Sequence, residues 1–368
     1  MIHNKNQSGF ILVMTLLMIS LGMLITSSLF DRGSSYTPFA HAVIDRQKAI
    51  FLAYSGLALT ESQLLHPAQT EKEKQEATTE SKTAPKPPTD QEDMQQLLTT
   101  LLPVLNKWQT FIFTDERDGI DGTLKICIMS EDGKLNINKL YDFKTKKFKD
   151  ETAQGGGFKT IIAGILGDIE KTMQTKELFA SLQRYLEKRD YPLNDVTELL
   201  TIKAFDVFRN AIYYQPSESQ KEQKGKERSR TYALTDLFTT ISDDAGVNPW
   251  VLSESMRAAL QIPPSTATID SKQTEQFAQV IKQFKMQNQW PQEWDTSLKN
   301  IYGIEYSRLP KYTNIAVRAS GLVRYFSVLI HSTVGDATQQ LYVILERIKK
   351  SQDNKTVYQI VIRSYYWL

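Results

Sequence analysis

The pattern of hydrophobic and polar positions separates an apolar N-terminal stretch from a long remainder of mixed character. No charged residue occurs from Phe10 to Phe30. At about 1.5 Å rise per residue, a helix of that length crosses a hydrocarbon core of roughly 30 Å. A single span in lipid must be helical, because its backbone polar groups have to be satisfied within the segment. Lys5 precedes the stretch, and positive charge ahead of a first span keeps that end in the cytoplasm. The pattern therefore predicts a single-pass membrane helix with the rest of the chain on the far side.

Residues 31–66 continue the helical pattern beyond the span. Apolar residues between Val43 and Leu64 recur at the spacing of an amphipathic helix with one buried face. We expect an interruption near Pro38, because proline removes a backbone donor and usually kinks or breaks a helix. The pattern predicts a helix that leaves the membrane and enters a globular head.

Two polar segments, residues 67–93 and 216–230, contain almost nothing that a folded core could bury. They are rich in lysine, glutamate, glutamine, serine and threonine, and such composition does not offset the entropy lost on ordering. We predict that both are disordered loops. Their charges are of mixed sign, which disfavours the alternative of a charged binding arm.

Alternation of apolar and polar residues predicts strands at two distant places in the chain. One run covers Leu124 to Ile128 and precedes a turn at residues 131–133. Further runs fill the C-terminal part from Tyr325 to Leu368, with turns near residues 334–337 and 351–354. We expect residues 122–129 to pair into one sheet with these terminal strands.

The segments between these strands have helical spacing, which predicts an α+β fold class. We expect a long N-terminal membrane helix packed on an antiparallel sheet. Residues 94–157 and 307–368 would form this head, and residues 158–306 would be a large, mostly α-helical domain inserted into it.

Composition excludes several classes of function. The formal net charge is +2, so the total charge gives no strong attraction to nucleic acid or anionic lipid. A single cysteine, Cys127, excludes an intramolecular disulfide, and the four histidines form no HxH or HxxxH pair for a transition metal. Packing must therefore hold the exported part together.

Motifs of enzymes and DNA-binding proteins are also missing their essential residues. The glycine run at 155–157 lacks the frame of a phosphate-binding loop, and no GxSxG sequence is present. A predicted helical hairpin has the turn Leu200 to Ala204, which contains none of the glycines that let a backbone approach DNA phosphates. We predict a protein that is not an enzyme and does not bind nucleic acid.

Asp115, Asp118 and Asp121 form the one carboxylate cluster with loop spacing suited to a hard cation. Calcium takes oxygen ligands from acidic loops, but this spacing matches no EF-hand. A plain acidic turn before a strand is the favoured interpretation. We predict no cofactor, with structural calcium at these three residues as the alternative.

The residues around the start of the apolar stretch resemble a prepilin leader. A secretory signal places its small cleavage-site residue after the apolar core, whereas Gly9 stands before it. The resemblance implies that prepilin peptidase cleaves between Gly9 and Phe10, removing residues 1–9, and that Phe10 becomes N-methylated. Met14 stands where major pilins carry a glutamate. An ordinary uncleaved anchor is the alternative.

Further motifs resemble the K component of type II secretion systems, a minor pseudopilin. The sequence SEDGKLNINKL at Ser130–Leu140 has the strand, the acidic turn and the asparagine-aliphatic-asparagine sequence of that family. We expect Asn136 and Asn138 to be structural residues that bond backbone where the chain leaves the sheet. Asp195–Leu199 matches the start of the family's helical hairpin. A later motif of the family is matched by Asp236–Thr239 followed by Val247–Asn248. Pro249–Trp250 departs from the family pattern. The terminal strands also agree with the family.

The resemblance implies an inner-membrane protein with its globular part in the periplasm, at the tip of the pseudopilus. There it would initiate or cap assembly for export across the outer membrane. The implied partners are the I-like and J-like minor pseudopilins, the major pseudopilin, the inner-membrane assembly platform and prepilin peptidase. The alternatives are a minor pilin of a type IV pilus and a signal-anchored periplasmic enzyme.

Overall fold

The computed structural model describes residues 7–65, 90–149, 157–216, 232–263, 279–281, 294–310, 323–352 and 355–368. Most of the two predicted disordered loops, at 67–89 and 217–230, lies outside the described residues, as do the first six residues of the predicted leader.

A single helix, Gln7–Leu65, runs for 59 residues. The predicted interruption near Pro38 is wrong, because that proline lies inside the continuous helix. Proline removes one backbone donor, and the hydrogen bonds of the neighbouring turns hold the helix across it. One face of the last four turns is buried on a sheet through Ala49, Leu52, Ala53, Leu57 and Leu64.

The sheet that receives this helix has five strands. In chain order the strands of the structure are β1 (Trp108–Phe113), β2 (Gly122–Ser130), β3 (Leu135–Asn136), β4 (Tyr141–Asp142), β5 (Lys147–Phe148), β6 (Phe238–Thr239), β7 (Tyr325–Val334), β8 (Ala337–Gln352) and β9 (Lys355–Trp367). The order across the main sheet is β1-β2-β7-β8-β9, and every neighbouring pair is antiparallel. The register between β2 and β7 runs from Gly122 opposite Val334 to Ser130 opposite Phe326, which confirms the predicted pairing.

Both faces of the central strands are buried, as the strands' dense apolar sequence requires. Leu124, Ile126 and Ile128 of β2 belong to the apolar core beneath the long helix. Cys127 and Met129 point to the opposite face, where residues of the helical region pack against a second, smaller cluster. Gly56 lets the helix approach closely, because a Cβ there would lie 2.9 Å from Leu124 Cδ1.

Helices occupy most of the described chain between the strands. They are Asp90–Leu101, Asp115–Asp118, Ile137–Leu140, Gly157–Met173, Leu178–Glu187, Leu234–Leu237, Glu254–Ala259 and Lys299–Tyr302, with a π-helix at Trp294–Leu298 and 3-10 turns at Glu131–Gly133, Val196–Thr201, Lys203–Phe208 and Tyr306–Arg308. The structure confirms the predicted α+β fold class. The division into a head and an inserted domain stays a prediction, because buried residues of both regions belong to one apolar cluster.

The boundary predicted for the first disordered loop is wrong at its C-terminal end. Residues 90–93 of that segment begin the helix Asp90–Leu101. This helix buries Met94, Leu97, Leu98 and Leu101 against the core. The apolar residues that this helix buries begin at Met94, and the polar residues 90–93 form its first turn.

Candidate functional site

The most exposed apolar surface of the structure is the first half of the long helix. Leu12–Phe30 has 19 residues, a mean hydropathy of 2.1 and no buried residue, and it is long and apolar enough to cross a membrane. The hydroxyl groups of Thr15, Ser20 and Thr26 donate hydrogen bonds of 2.7 to 2.9 Å to carbonyl oxygens three or four positions earlier. With these groups satisfied inside the helix, its outer surface suits lipid or other apolar helices.

The residues predicted for processing lie at the start of this helix. Gly9 and Phe10 fall within its first turns, and Met14 is 49% exposed on the outer surface. Met14 makes no buried contact, and among the helix residues whose burial is described, at 12–30 and from 36 onward, Ala49 is the first that is buried. Cleavage after Gly9 and methylation of Phe10 stay predictions.

The three candidate calcium ligands lie in an exposed turn between β1 and β2. The Asp118 carboxylate accepts hydrogen bonds from Arg117 Nη2 at 2.8 Å and from the Thr114 backbone N–H at 3.0 Å. The Arg117 hydrogen bond is the main reason why the pKa of Asp118 is lowered. Across the part of the chain that the structure describes, no three acidic, histidine or cysteine side chains are grouped to hold a metal ion. The absence of a cofactor stays a prediction, and calcium at Asp115, Asp118 and Asp121 stays its alternative.

The segment Ser130–Leu140 forms a buried polar joint between the sheet and the helical region. At its centre Lys134 is fully buried, and its ammonium group donates to a Glu131 carboxylate oxygen and to Ser327 Oγ at 3.0 Å. Gly133 has no space for a side chain, because a Cβ there would lie 1.9 Å from the Val251 carbonyl oxygen. The turn that ends β2 is therefore pressed directly against the helical region.

Both asparagines of this segment hold the backbone, as predicted from their position after the strand. Asn136 Nδ2 donates to the Ser242 carbonyl at 2.5 Å, and Asn136 Oδ1 accepts from the Lys139 N–H at 3.3 Å. Asn138 exchanges two hydrogen bonds of 2.8 Å with the backbone of Leu193. These contacts attach the predicted hairpin and the loop after β6 to the end of the sheet.

Two buried aspartates of the same joint have raised pKa values. Burial raises the pKa of Asp132 to about 7, although its Oδ2 accepts from the backbone N–H groups of Arg324 at 2.7 Å and Tyr325 at 3.0 Å. Burial likewise raises the pKa of Asp236 to about 6. Its Oδ2 accepts from the Ser255 N–H at 2.7 Å, while its Oδ1 has no hydrogen-bond partner among the residues that the structure describes.

These pKa shifts predict how stability depends on pH. The folded-state pKa of each aspartate lies above its ordinary value of 3.8, so the folded state holds more protons between about pH 4 and pH 7. Stability should therefore fall as the pH rises through that window, by at most about 1.4 kcal/mol per pH unit for each group. Asp132→Asn keeps an oxygen acceptor and should flatten the slope, measured by urea denaturation from pH 5 to pH 8. An unchanged slope in the variant would contradict the prediction.

A small pocket on the far face of the sheet bears on the alternative of an enzyme. It is lined by residues that include Glu131, Asp195 and Tyr366. Glu131 is paired with Lys134, and Asp195 accepts from Tyr366 Oη at 3.1 Å and from the Thr197 N–H at 2.7 Å. The carboxylates of this pocket thus serve the fold, and the two aspartates with raised pKa values do not line it.

Sequence reasoning missed a set of buried charges on β8. Arg347 makes two bonds of 2.7 Å to the carboxylate of Asp93 and donates to the Leu64 carbonyl at 3.0 Å. Its guanidinium also lies 3.5 Å from the ring centre of Tyr358 on β9. The sequence signal that could have predicted this buried charge is an arginine within an apolar run, because a central strand with both faces covered also buries its charged residues.

Known proteins provide a limited comparison for this fold. No protein-family model and no curated protein matches the chain. Among solved structures, the chain is similar to one from the GspK-GspI-GspJ complex of the enterotoxigenic Escherichia coli type 2 secretion system, with 11% identity and a TM-score of 0.41. The similarity covers 91% of this chain and 99% of that one. It is too low to assign a function.

Proposed function

We propose that this protein is a minor pseudopilin similar to the K component of type II secretion systems. It would be anchored in the inner membrane by Leu12–Phe30, with the sheet and the helical region in the periplasm. The observation that carries the proposal is that two parts of one continuous helix have different surroundings. Leu12–Phe30 is apolar and has no buried residue, whereas the C-terminal part of the helix packs on an antiparallel sheet. That arrangement suits a structural subunit of a membrane-anchored filament rather than a catalyst.

Met14 supports a place at the tip of the filament. A glutamate at this depth would be a charge in lipid, which is costly unless it is paired, and the free amino terminus of the subunit above is a suitable partner. Met14 cannot make that contact, which suits a subunit with no other subunit above it. The large helical region between β5 and β7, which contains the predicted insertion at residues 158–306, fits the same place, because it would clash inside a narrow shaft. The I-like, J-like and major pseudopilins and the assembly platform would contact it from below.

The position in the filament can be tested by electron microscopy of a chain with a tagged head. We expect the wild-type tag at one end of each filament and an increased fraction along the shaft for Met14→Glu. Met18→Glu is the matched control, because Met18 lies one turn later and is 74% exposed. Wild-type protein spread along the shaft would contradict the tip placement. Filaments without any tag, in cells that make the chain, would contradict the proposed function.

Removal of the anchor should release a folded protein. No residue of Leu12–Phe30 is buried, so we expect that deleting residues 1–30 leaves the core contacts in place. We expect the full chain in the membrane pellet after alkaline carbonate extraction, and the truncated chain in the soluble fraction with an unchanged melting temperature. A soluble full chain, or a truncated chain without a cooperative unfolding transition, would contradict this expectation.

Processing is tested by mass spectrometry of the mature amino terminus. In cells with an active prepilin peptidase we expect a chain that begins with N-methylated Phe10, and in cells without the peptidase a chain that keeps residues 1–9. An intact chain in both strains would support the ordinary anchor and contradict the cleavage.

A further inference from the structure

The last strand, β9, leaves an apolar surface uncovered beside the long helix. Trp367, Tyr365 and Ile362 lie opposite Leu341, Val343 and Leu345 of β8. Residues opposite each other in an antiparallel pair share a face of the sheet, so these three point to the side on which the helix packs. Their β8 partners are buried in the core, yet they are themselves 39%, 60% and 45% exposed.

The helix explains this difference, because it is too narrow to cover the whole sheet. It lies over β2, β7 and β8 and reaches β9 only at its flank, where the ring centres of Tyr54 and Trp367 are 5.7 Å apart. Tyr54 remains 46% exposed, and Phe51, one turn earlier, is 69% exposed. We call the surface formed by Phe51, Tyr54, Ile362, Tyr365 and Trp367 the ledge.

On the opposite flank of the helix, the contact between helix and sheet is polar. There Gln63 and Gln109 of β1 close the gap with an amide hydrogen bond of 3.1 Å. Within the described ranges β1 and β9 are both edge strands, so the two flanks differ in their side chains: an amide contact closes the gap at β1, whereas the apolar side chains of β9 stay exposed. Apolar surfaces of this kind on one side of a protein mark an interaction site, so the asymmetry locates a docking surface at the ledge.

Lipid cannot be the occupant of the ledge. At 1.5 Å per helical residue, Tyr54 lies about 36 Å along the helix from Phe30, whereas headgroups add only about 5–8 Å on each side of the hydrocarbon core. A second copy paired edge to edge in antiparallel fashion is also unsuitable. The twofold axis of that pair would point the two anchor helices in opposite directions, and one membrane could not hold both.

Exposed apolar residues connect the ledge to the membrane along the same helix. Between the span and the ledge, Tyr36, Phe39, Val43 and Ile44 are all more than 40% exposed. A partner that covers these four residues and the ledge together must itself extend from the membrane alongside the helix. An apolar helix satisfies that condition and fits the step between a helix flank and a sheet edge.

We propose that the ledge seats the membrane-proximal helix of a neighbouring anchored subunit, running parallel to the helix Gln7–Leu65. This inference rests on the proposed function and adds to it the face through which the subunit is joined. Tyr365, which is the most exposed ledge residue on β9, would lie at the centre of the contact.

The experiment uses a photo-crosslinking amino acid at Tyr365 of the full chain, in cells that contain the whole secretion machinery. Ile112 on the opposite sheet edge is the matched control position, since it is 68% exposed. We expect a crosslink from position 365 whose partner peptide, identified by mass spectrometry, belongs to the N-terminal helix of another anchored protein. A peptide from an extended strand, from this chain itself, or no crosslink would overturn the proposal.

A second measurement separates the ledge from the proposed function. Tyr365→Asp should lower incorporation into purified filaments about tenfold or more, while Ile112→Asp should leave it unchanged. Both variants should keep the wild-type melting temperature. Normal incorporation of Tyr365→Asp would refute the ledge and leave the proposed function standing, whereas absence of the wild-type chain from filaments would refute the proposed function itself.

Discussion

Replacing Lys134 with methionine is expected to lower the free energy of unfolding by about 3–5 kcal/mol. The side chain of Lys134 is 0% exposed and that of its partner Glu131 is 3% exposed. Methionine fills most of the space but leaves the Glu131 carboxylate buried without its counter-charge. Ser327 also loses the donor that reaches it at 3.0 Å. The loss is measured by urea denaturation of the full chain in detergent.

Two further variants make this prediction specific. Lys171→Met removes a lysine of the same spacing from an exposed pair with Asp168, in which Lys171 is 82% exposed, and should cost less than about 1 kcal/mol. The double variant Glu131→Gln with Lys134→Met removes both charges and should recover part of the loss. If Lys134→Met cost no more than Lys171→Met, the buried pair would not stabilise the joint as the geometry indicates.

Replacing Arg347 with methionine should also cost about 3–5 kcal/mol, because Asp93 would remain as a buried, unpaired carboxylate. Arg347 connects four parts of the head: β8, the helix that begins at Asp90, the end of the long helix at Leu64, and β9 through Tyr358. We therefore expect faster hydrogen exchange in Asp90–Leu101 and around Leu64, in addition to the lower global stability. The measurements are urea denaturation and hydrogen exchange followed by mass spectrometry.

Two controls separate the charge from the geometry of Arg347. Arg347→Lys keeps the charge but cannot make the paired hydrogen bonds to Asp93, so it should recover only part of the stability. Arg184→Met removes an arginine from an exposed pair with Glu177 and should change stability by less than about 1 kcal/mol. Equal losses for Arg347→Met and Arg184→Met would show that the buried pair contributes nothing of its own.

Local sequence patterns were enough to predict the parts of this fold that depend on neighbours along the chain. The uncharged run from Phe10 to Phe30 predicted the exposed helix, and alternation predicted β2 and the terminal strands, because both patterns are periodic. Asn136 and Asn138 were also predicted to hold backbone, since asparagine after a strand caps local turns. Pro38 misled the prediction, because the loss of one backbone bond did not outweigh the surrounding helical turns.

Which charges are buried and which apolar residues remain exposed depends instead on contacts between distant parts of the chain. Lys134 and Ser327 are 193 positions apart, and Arg347 and Asp93 are 254 apart, so no local pattern reports that they meet. The ledge has the same origin. The apolar sequence of β9 is typical of a strand that a helix covers. The long helix, however, lies over β2, β7 and β8, and it is too narrow to cover Tyr365 and Trp367 as well.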